Sequence, residues 1–229
     1  MKKPIITIDG PAGAGKSTVS RELAKQLSLR YLDTGALYRA VACAARDKGI
    51  APDDEKSLAD LCSKIDVSLI ETGEGIRTVI NKRDRTECIR SPEISLLASK
   101  VSAIPAVRAY LLIVQRRLGE GGGIVAEGRD MGTVVFPHAD FKFFLGAAVE
   151  ERARRRHREL AERGIAADME DVRNDMITRD HEDSERKIAP LMIPADAVVV
   201  DTTNLTVSQV VVKMVTIVSS GGEDRKSVV

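Results

Sequence analysis

The chain has 229 residues, 43% hydrophobic and 30% charged, with 35 basic side chains against 34 acidic ones. That is the composition of an ordinary globular protein with one sizeable core, and the near-zero charge balance excludes nucleic acid as a whole-surface partner. An aromatic content of 3%, with no tryptophan, also disfavours base stacking.

The opening MKKPIITIDG has only a short apolar run before Asp9, too short for a signal-peptide core, and no later stretch approaches the ~18 apolar residues of a membrane span. PIITID (4–9) reads as a buried strand, and KSTVSRELAKQLS (16–28) as a helix with Val19, Leu23 and Leu27 on one face. YLDTG is a brief strand and turn, followed by a helix, ALYRAVACAARDKG, closed by Gly49. Residues 66–89 alternate apolar and polar side chains around Gly73 and Gly75, which predicts a small antiparallel insertion. Residues 91–119 are helical on both sides of Pro105, which breaks or kinks them. Further strands are expected at GIVAEG (123–128), FKFFLG (141–146) and AVVVD (197–201), and the tail 219–229 is expected to be flexible. Strands alternating with helices imply an α/β fold around a parallel sheet. Cys43, Cys62 and Cys88 are odd in number and irregularly spaced, without a CxxC pair, so the expectation is buried free thiols in a reducing cytoplasm.

The strongest chemical signal is Gly10-Pro11-Ala12-Gly13-Ala14-Gly15-Lys16-Ser17-Thr18, a G-x-x-x-x-G-K-[ST] phosphate loop between a predicted strand and a predicted helix. Glycines let backbone N–H groups turn inward around an anion, and the helix start adds partial positive charge. Lys16 would reach the terminal phosphates and the Ser17 hydroxyl would ligate Mg²⁺. Such a loop serves switches, motors and kinases alike. NKRD (81–84) matches a guanine-reading signature, but it falls in the predicted insertion, and no D-x-x-G lies between the two motifs. A solvated polar turn explains it. Glu127 in GIVAEG could be the strand-end acid of a nucleic-acid-driven ATPase, a reading disfavoured by charge and aromatic content.

Arginine placement points toward transfer to a small acceptor. Residues 150–159 carry Arg152, Arg154, Arg155, Arg156 and Arg158, more than Glu150 and Glu151 can neutralise. An arginine-rich helix near a phosphate loop would make a lid that excludes water and stabilises transferring charge. Arg39, Arg108, Arg129, Arg179 and Arg186 lie near glycines or polar residues at predicted element ends. That placement suits a clamp for an acceptor bearing its own phosphate.

The phosphate loop, DTGALYR (33–39), SKVSAIPAVR (99–108), EGRDMGTVVFP (127–137), the arginine-rich helix and RDHEDSERKIAP (179–190) occur in this order. Together they resemble the bacterial cytidylate kinases of the nucleoside monophosphate kinase superfamily, over residues 4 to 215 or so. The resemblance implies a three-layer P-loop kinase fold in a single domain, 1–218. Within it would lie an acceptor part at about 34–110, the β insertion at 66–89 and a lid at 150–165. It implies Mg-dependent transfer of the ATP γ-phosphoryl group to CMP or dCMP, in a cytoplasmic protein that is usually a monomer. It places Gly10 to Thr18, Arg154 and Arg155 at ATP, and makes Lys16, Arg129, Arg155 and Arg158 catalytic. Arg39, Arg129 and Arg186 would bind the acceptor's phosphate, Ser99, Arg108 and Asp130 its cytosine, and Arg179 and Asp183 its sugar. Thr34 takes a hydroxyl position that is often serine in relatives. Asp130 can accept from the exocyclic amine while Arg108 donates to N3 and O2, and uracil reverses the donor pattern at positions 3 and 4. Glu127, Asp33 and His138 receive no fixed role. Another P-loop small-molecule kinase, a nucleotide switch and a nucleic-acid-stimulated ATPase are the alternatives.

Overall fold

The computed structural model describes residues 3–73 and 75–221; residues 222–229 of the expected flexible tail lie outside the described residues. In chain order the elements begin β1 (Lys3–Asp9), α1 (Lys16–Gln26), β2 (Arg30–Asp33), α2 (Thr34–Asp47) and α3 (Glu55–Lys64). Three short strands follow, β3 (Val67–Thr72), β4 (Gly75–Ile80) and β5 (Arg83–Asp84), then α4 (Pro92–Val101) and α5 (Pro105–Leu118). The chain closes with β6 (Gly122–Gly128), β7 (Phe141–Gly146), α6 (Val149–Glu162), α7 (Met169–Glu185), β8 (Val198–Asp201) and α8 (Val207–Ser219). These elements form two compact units, one from residues 1–32 with 121–229, the other from 33–120.

The first unit is built on a five-stranded sheet of order β2-β6-β1-β7-β8. β1 is its axis, parallel to β6 on one side and β7 on the other, and β8 runs parallel to β7. Register sets the site. Asp9 pairs with Gly128 across one ladder and with Phe144 across the other, so the segments after β1 and β6 leave the same carboxyl edge side by side. The core joins Ile6 and Ile8 of β1, Val125 of β6 and Phe143 and Leu145 of β7 to Val19 and Leu23 of α1 and Val211 and Met214 of α8. A Thr206–Gln209 capping box starts α8. A satellite cluster of Ala153, Leu160, Val172 and Met176 packs α6 against α7.

The second unit packs Leu37 and Val41 of α2 with Leu58 of α3, Ile94 of α4 and Leu111 of α5. Its sheet is the expected antiparallel insertion, β3-β4-β5, with Val67 opposite Ile80. Pro105 occupies the first turn of α5, and the axes of α4 and α5 meet at 103°. Asn81 and Lys82 of NKRD sit in an exposed turn at φ 47° and 64°, between antiparallel strands.

Several details depart from expectation. The first helix ends at Gln26, just before Ser28 takes φ 52°. Thr34 and Gly35, expected in a turn, open α2, because the Asp33 carboxylate accepts from the Ala36 N–H at 2.9 Å and caps the helix. The hairpin pattern fails after Asp84, where residues 88–90 form a 3₁₀ turn. The expectation of free thiols is corrected for two cysteines: Cys43 of α2 and Cys88 of the 3₁₀ turn form a disulfide across 45 positions, brought together by tertiary packing that spacing does not encode. Cys62 is the free cysteine among the described residues, and burial pushes its thiol up to about 11. No single described helix is long and apolar enough to cross a membrane.

Candidate active site

The loop after β1 folds as a phosphate cradle because its glycines occupy backbone positions closed to other residues. Gly10 has φ 148°, and a Cβ there would lie 2.1 Å from the Leu145 carbonyl oxygen. Gly13 has φ 74°, and its Cβ would meet Met176 Cε at 2.8 Å and Arg152 Cβ at 3.1 Å. Gly15, at φ 87°, is the N-cap of α1 without any side-chain cap bond, so the first N–H groups of the helix are not claimed by a capping side chain. Lys16 is buried and donates from Nζ to the Pro11 carbonyl at 2.7 Å. Ser17 is half-buried and Thr18 exposed, both in the first turn.

Electrostatics make this cradle hungry for anion. Burial depresses the Lys16 pKa well below its ordinary value, and the like charges of Arg129 and Arg179 depress it further, against the pull of Glu127 and Asp183. An arriving phosphate would relieve that penalty. Glu127, buried at the end of β6, accepts a short hydrogen bond from the Tyr31 hydroxyl of β2, and Arg21 lies over the Tyr31 ring at 5.6 Å. Among the described residues no cluster of three or more His, Cys, Asp or Glu could cage a metal by itself. The Ser17 hydroxyl beside a phosphate cradle fits Mg²⁺, which takes few protein ligands and completes its shell with phosphate oxygens and water.

Asp9 ties the cradle to the loop after β6. Its two carboxylate oxygens accept from the Met131 and Gly132 N–H groups, each at 2.8 Å, where residues 131–135 make a π-helical turn. Burial pushes Asp9 up to about 6, with Asp130 adding and the two N–H donors and Lys16 opposing. The folded chain therefore binds an extra proton between the ordinary value of 3.8 and about 6, and this group takes stability away as pH rises through that window.

Three of the arginines predicted for the acceptor, Arg129, Arg179 and Arg186, lie in the same unit around one carboxylate. Arg129 Nε donates to Asp183 at 2.7 Å, and Arg186 Nη1 reaches the other Asp183 oxygen at 3.4 Å. Arg186 also lies 3.8 Å from Asp130 and donates from Nε to the Ala189 carbonyl at 2.6 Å. Burial alone would raise Asp183, but Arg129, Arg179 and Arg186 together hold its carboxyl below the usual range. Arg129, Arg179, Arg186 and Lys16 thus interact with Glu127, Asp130 and Asp183 in one ionic cluster.

Helix α6 divides its arginines by role. Arg152 is buried, donating to the Ala147 carbonyl at 2.9 Å and to the Ala12 carbonyl of the phosphate loop at 3.1 Å, with Asp180 of α7 at 2.7 Å. Arg155 donates to Glu151 at 3.1 Å and to the Thr202 carbonyl at 2.6 Å, and its Nη1 lies 3.8 Å from where a Cβ on Gly15 would stand. Arg154 pairs with Glu151 and is largely exposed, and Arg158 is exposed. Thr202 supports both sides, its hydroxyl donating to the Ala14 carbonyl at 3.2 Å.

In the second unit, Arg39 pairs with Asp33 at 2.9 Å one turn into α2, and Gly35 leaves room for that pair: a Cβ would stand 2.9 Å from Arg39 Nη1. Thr34 is buried beside them and Ser99 half-buried in α4. Arg108, buried in the first turn of α5, donates to the Ser102 carbonyl at 3.1 Å and stacks over Tyr38 at 5.6 Å. His138 is exposed. Sequence reasoning missed Asp9, Tyr31, Tyr38, Asp180 and Thr202 as supports, and it counted Arg152 only as one of a crowd. For Arg152 a signal existed: it falls on the buried stripe of α6 that runs through Val149, Ala153 and Leu160.

Comparison with known proteins gives the family. The family described as Cytidylate kinase matches residues 6–220. A protein named Cytidylate kinase from Carboxydothermus hydrogenoformans is 50% identical over 213 residues, covering 93% of this chain and 96% of that protein. Another so named, from Syntrophotalea carbinolica, is 49% identical over 215 residues, covering 94% of this chain and 92% of its own. Among solved structures, a gluconokinase from Sinorhizobium meliloti superposes with a TM-score of 0.50 at 14% identity, over 97% of this chain and 95% of that one. A likeness at that identity speaks for the P-loop kinase fold alone.

Proposed function

The chain belongs to the cytidylate kinase family, and from that premise we propose how its residues carry out the transfer. It is a nucleoside monophosphate kinase, moving the ATP γ-phosphoryl group to CMP. dCMP serves as a second acceptor. The observation that carries the reading is the buried Lys16 in its glycine-cornered cradle, its Nζ on the Pro11 carbonyl at 2.7 Å, with Arg129 and Arg186 gathered on Asp183 in the same unit.

ATP lies along Gly10 to Thr18. Backbone N–H groups hold its β-phosphate, and Lys16 spans the β- and γ-phosphates. The Ser17 hydroxyl would hold Mg²⁺, which would supply neutralising charge to the phosphates. Arg154 and Arg155 flank the nucleotide, while Arg155 and Arg158 close on the transferring group from the lid at about 150–165. Arg152, bound to the Ala12 carbonyl, anchors that helix to the loop. Arg39, Arg129 and Arg186 hold the acceptor phosphate, whose oxygen is already anionic and needs no protein base. Attack is in line, and the protein contributes placement and charge stabilisation. Ser99, Arg108 and Asp130 read the cytosine, Arg179 and Asp183 hold the sugar, and Thr34 supports the phosphate end. The working protein is a single-domain cytoplasmic monomer.

Base reading is tested by Asp130→Asn. A buried carboxylate accepts from the exocyclic amine of cytosine, whereas an amide can also donate to the uracil carbonyl. The CMP-over-UMP ratio of kcat/KM is expected to narrow by ~10²-fold or more. A ratio equal to that of the parent protein would remove Asp130 from the base site.

A further inference from the structure

The Cys43–Cys88 bridge has no part in phosphoryl transfer, yet it lies within the helices that carry the acceptor residues. Cys43 sits on α2 one turn beyond Arg39, at the i, i+4 spacing that puts both on one helix face. Cys88 opens the 3₁₀ turn that feeds α4, the helix of Ser99. Arg46 and Glu93, 3.6 Å apart, make a second tie between α2 and α4.

Two guanidinium groups lie against the two sulfurs. Arg85 Nη2 lies 3.3 Å from Cys43 Sγ and 3.5 Å from Cys88 Sγ, and Arg46 Nη2 lies 3.4 Å from Cys88 Sγ. Asp47 pairs with both arginines, at 3.1 Å from Arg46 and closer to Arg85, and so holds them in place. Guanidinium groups at that distance stabilise a thiolate, the form that attacks and leaves in exchange. The two ends also differ in access: Cys43 is fully buried and Cys88 only half-buried. Cys62, buried with its thiol pushed up to about 11, is the inert contrast within the same unit.

We propose that Cys43–Cys88 is a reversible thiol–disulfide exchange site whose state sets the affinity of the acceptor-binding helices for CMP. The co-reactant is a dithiol, small or protein-borne. One of its thiolates attacks Cys88 Sγ, a mixed disulfide forms, and the Cys43–Cys88 bond breaks with the electron pair leaving on Cys43 as a thiolate beside Arg85. The second thiol of the reductant loses its proton and attacks its own half of the mixed disulfide, expelling Cys88. Two electrons and one proton pass to the protein, which ends with the Cys43 thiolate and a Cys88 thiol, and the dithiol, entering as thiolate and thiol, becomes a disulfide. A disulfide oxidant reverses each step. The effect on CMP rests on the acceptor roles proposed above; the exchange chemistry does not.

The test uses the intact chain, purified without reductant, and compares it before and after native treatment with dithiothreitol. Iodoacetamide labelling followed by peptide mass analysis is expected to find Cys43 and Cys88 blocked at first and both labelled after reduction, with Cys62 labelled only on unfolding. Initial rates at saturating ATP are expected to give a KM for CMP that differs about fivefold or more between the two states, with the KM for ATP unchanged. Cys88→Ser should hold the reduced-state value with or without dithiol; the two states of the parent protein decide the matter even if that variant folds poorly. Free Cys43 and Cys88 in the untreated protein, a bridge that resists dithiol until the chain unfolds, or equal KM values for CMP would each overturn the proposal. Exchange as described without CMP-dependent turnover in either state would overturn the acceptor roles and leave the exchange site standing.

Discussion

Arg129→Ala loses ~10³-fold or more of kcat/KM for CMP while ATP binds as before. The asymmetry follows from what Arg129 touches. Its Nε is committed to Asp183 at 2.7 Å, which fixes the guanidinium at the end of β6, where the proposed acceptor phosphate would lie. Toward ATP two effects of its removal oppose each other: the site loses one cation that attracts phosphate, and Lys16, relieved of its foremost like charge, holds its own proton more easily. Triphosphate affinity is therefore expected to change little. Asp183 keeps Arg186 at 3.4 Å and the field of Arg179, so the fold survives. Steady-state kinetics with each substrate varied, beside equilibrium ATP binding, separates the two effects. An equal loss of ATP affinity would contradict the placement of Arg129 at the acceptor.

Asp183→Ala is expected to damage stability as well as turnover. The carboxylate is buried and balances Arg129, Arg179 and Arg186. Removing one partner from a buried ionic cluster costs ~3–5 kcal/mol, because the remaining charges stay desolvated. For a chain of this size that is a fall in Tm on the order of 10 °C. The pH dependence has a definite sign. Since the folded carboxyl is held below its ordinary value of 3.8, its contribution is present above that value and is lost as pH falls through the folded pKa. Thermal unfolding of the variant against the parent should therefore differ most near neutrality and converge in acid. A constant difference across the range would mean that Asp183 acts by packing and not by charge.

The parts of this molecule that are local in sequence were legible there. The phosphate loop is a contiguous stretch whose glycines and lysine have fixed offsets, so its place between β1 and α1 could be read directly. The strands of the main sheet announced themselves as short apolar runs, and Pro105 marked the break between α4 and α5. The helix α3 went unread although its signal is local: Asp54 accepts from the Ser57 N–H at 3.0 Å, and Leu58, Leu61 and Cys62 follow at helical spacing. Other features depend on contacts between distant segments and left no such trace. The π-helical turn at 131–135 sits where Asp9, over a hundred positions earlier, takes two consecutive N–H groups. The Cys43–Cys88 pairing is equally non-local, and irregular spacing pointed the wrong way.

The arginines show both cases at once. Their number in α6 was plain, but which one is structural was not, because burial of Arg152 depends on the Ala12 carbonyl and Asp180 rather than on its neighbours in sequence. Arg129, Arg186 and Asp183 were named from the order of motifs, and the structure brings these three into one ionic cluster.

The central claim is that this cluster and its cradle transfer phosphate to a cytidine monophosphate and discriminate its base. The most direct measurement is diphosphate product formed from Mg-ATP by the purified chain with CMP, dCMP, UMP, AMP, GMP or shikimate as separate acceptors. The account predicts strong, acceptor-dependent turnover with CMP and dCMP, with CDP or dCDP and ADP appearing in equal amounts. Turnover led by another acceptor, or slow hydrolysis indifferent to all of them, would contradict it.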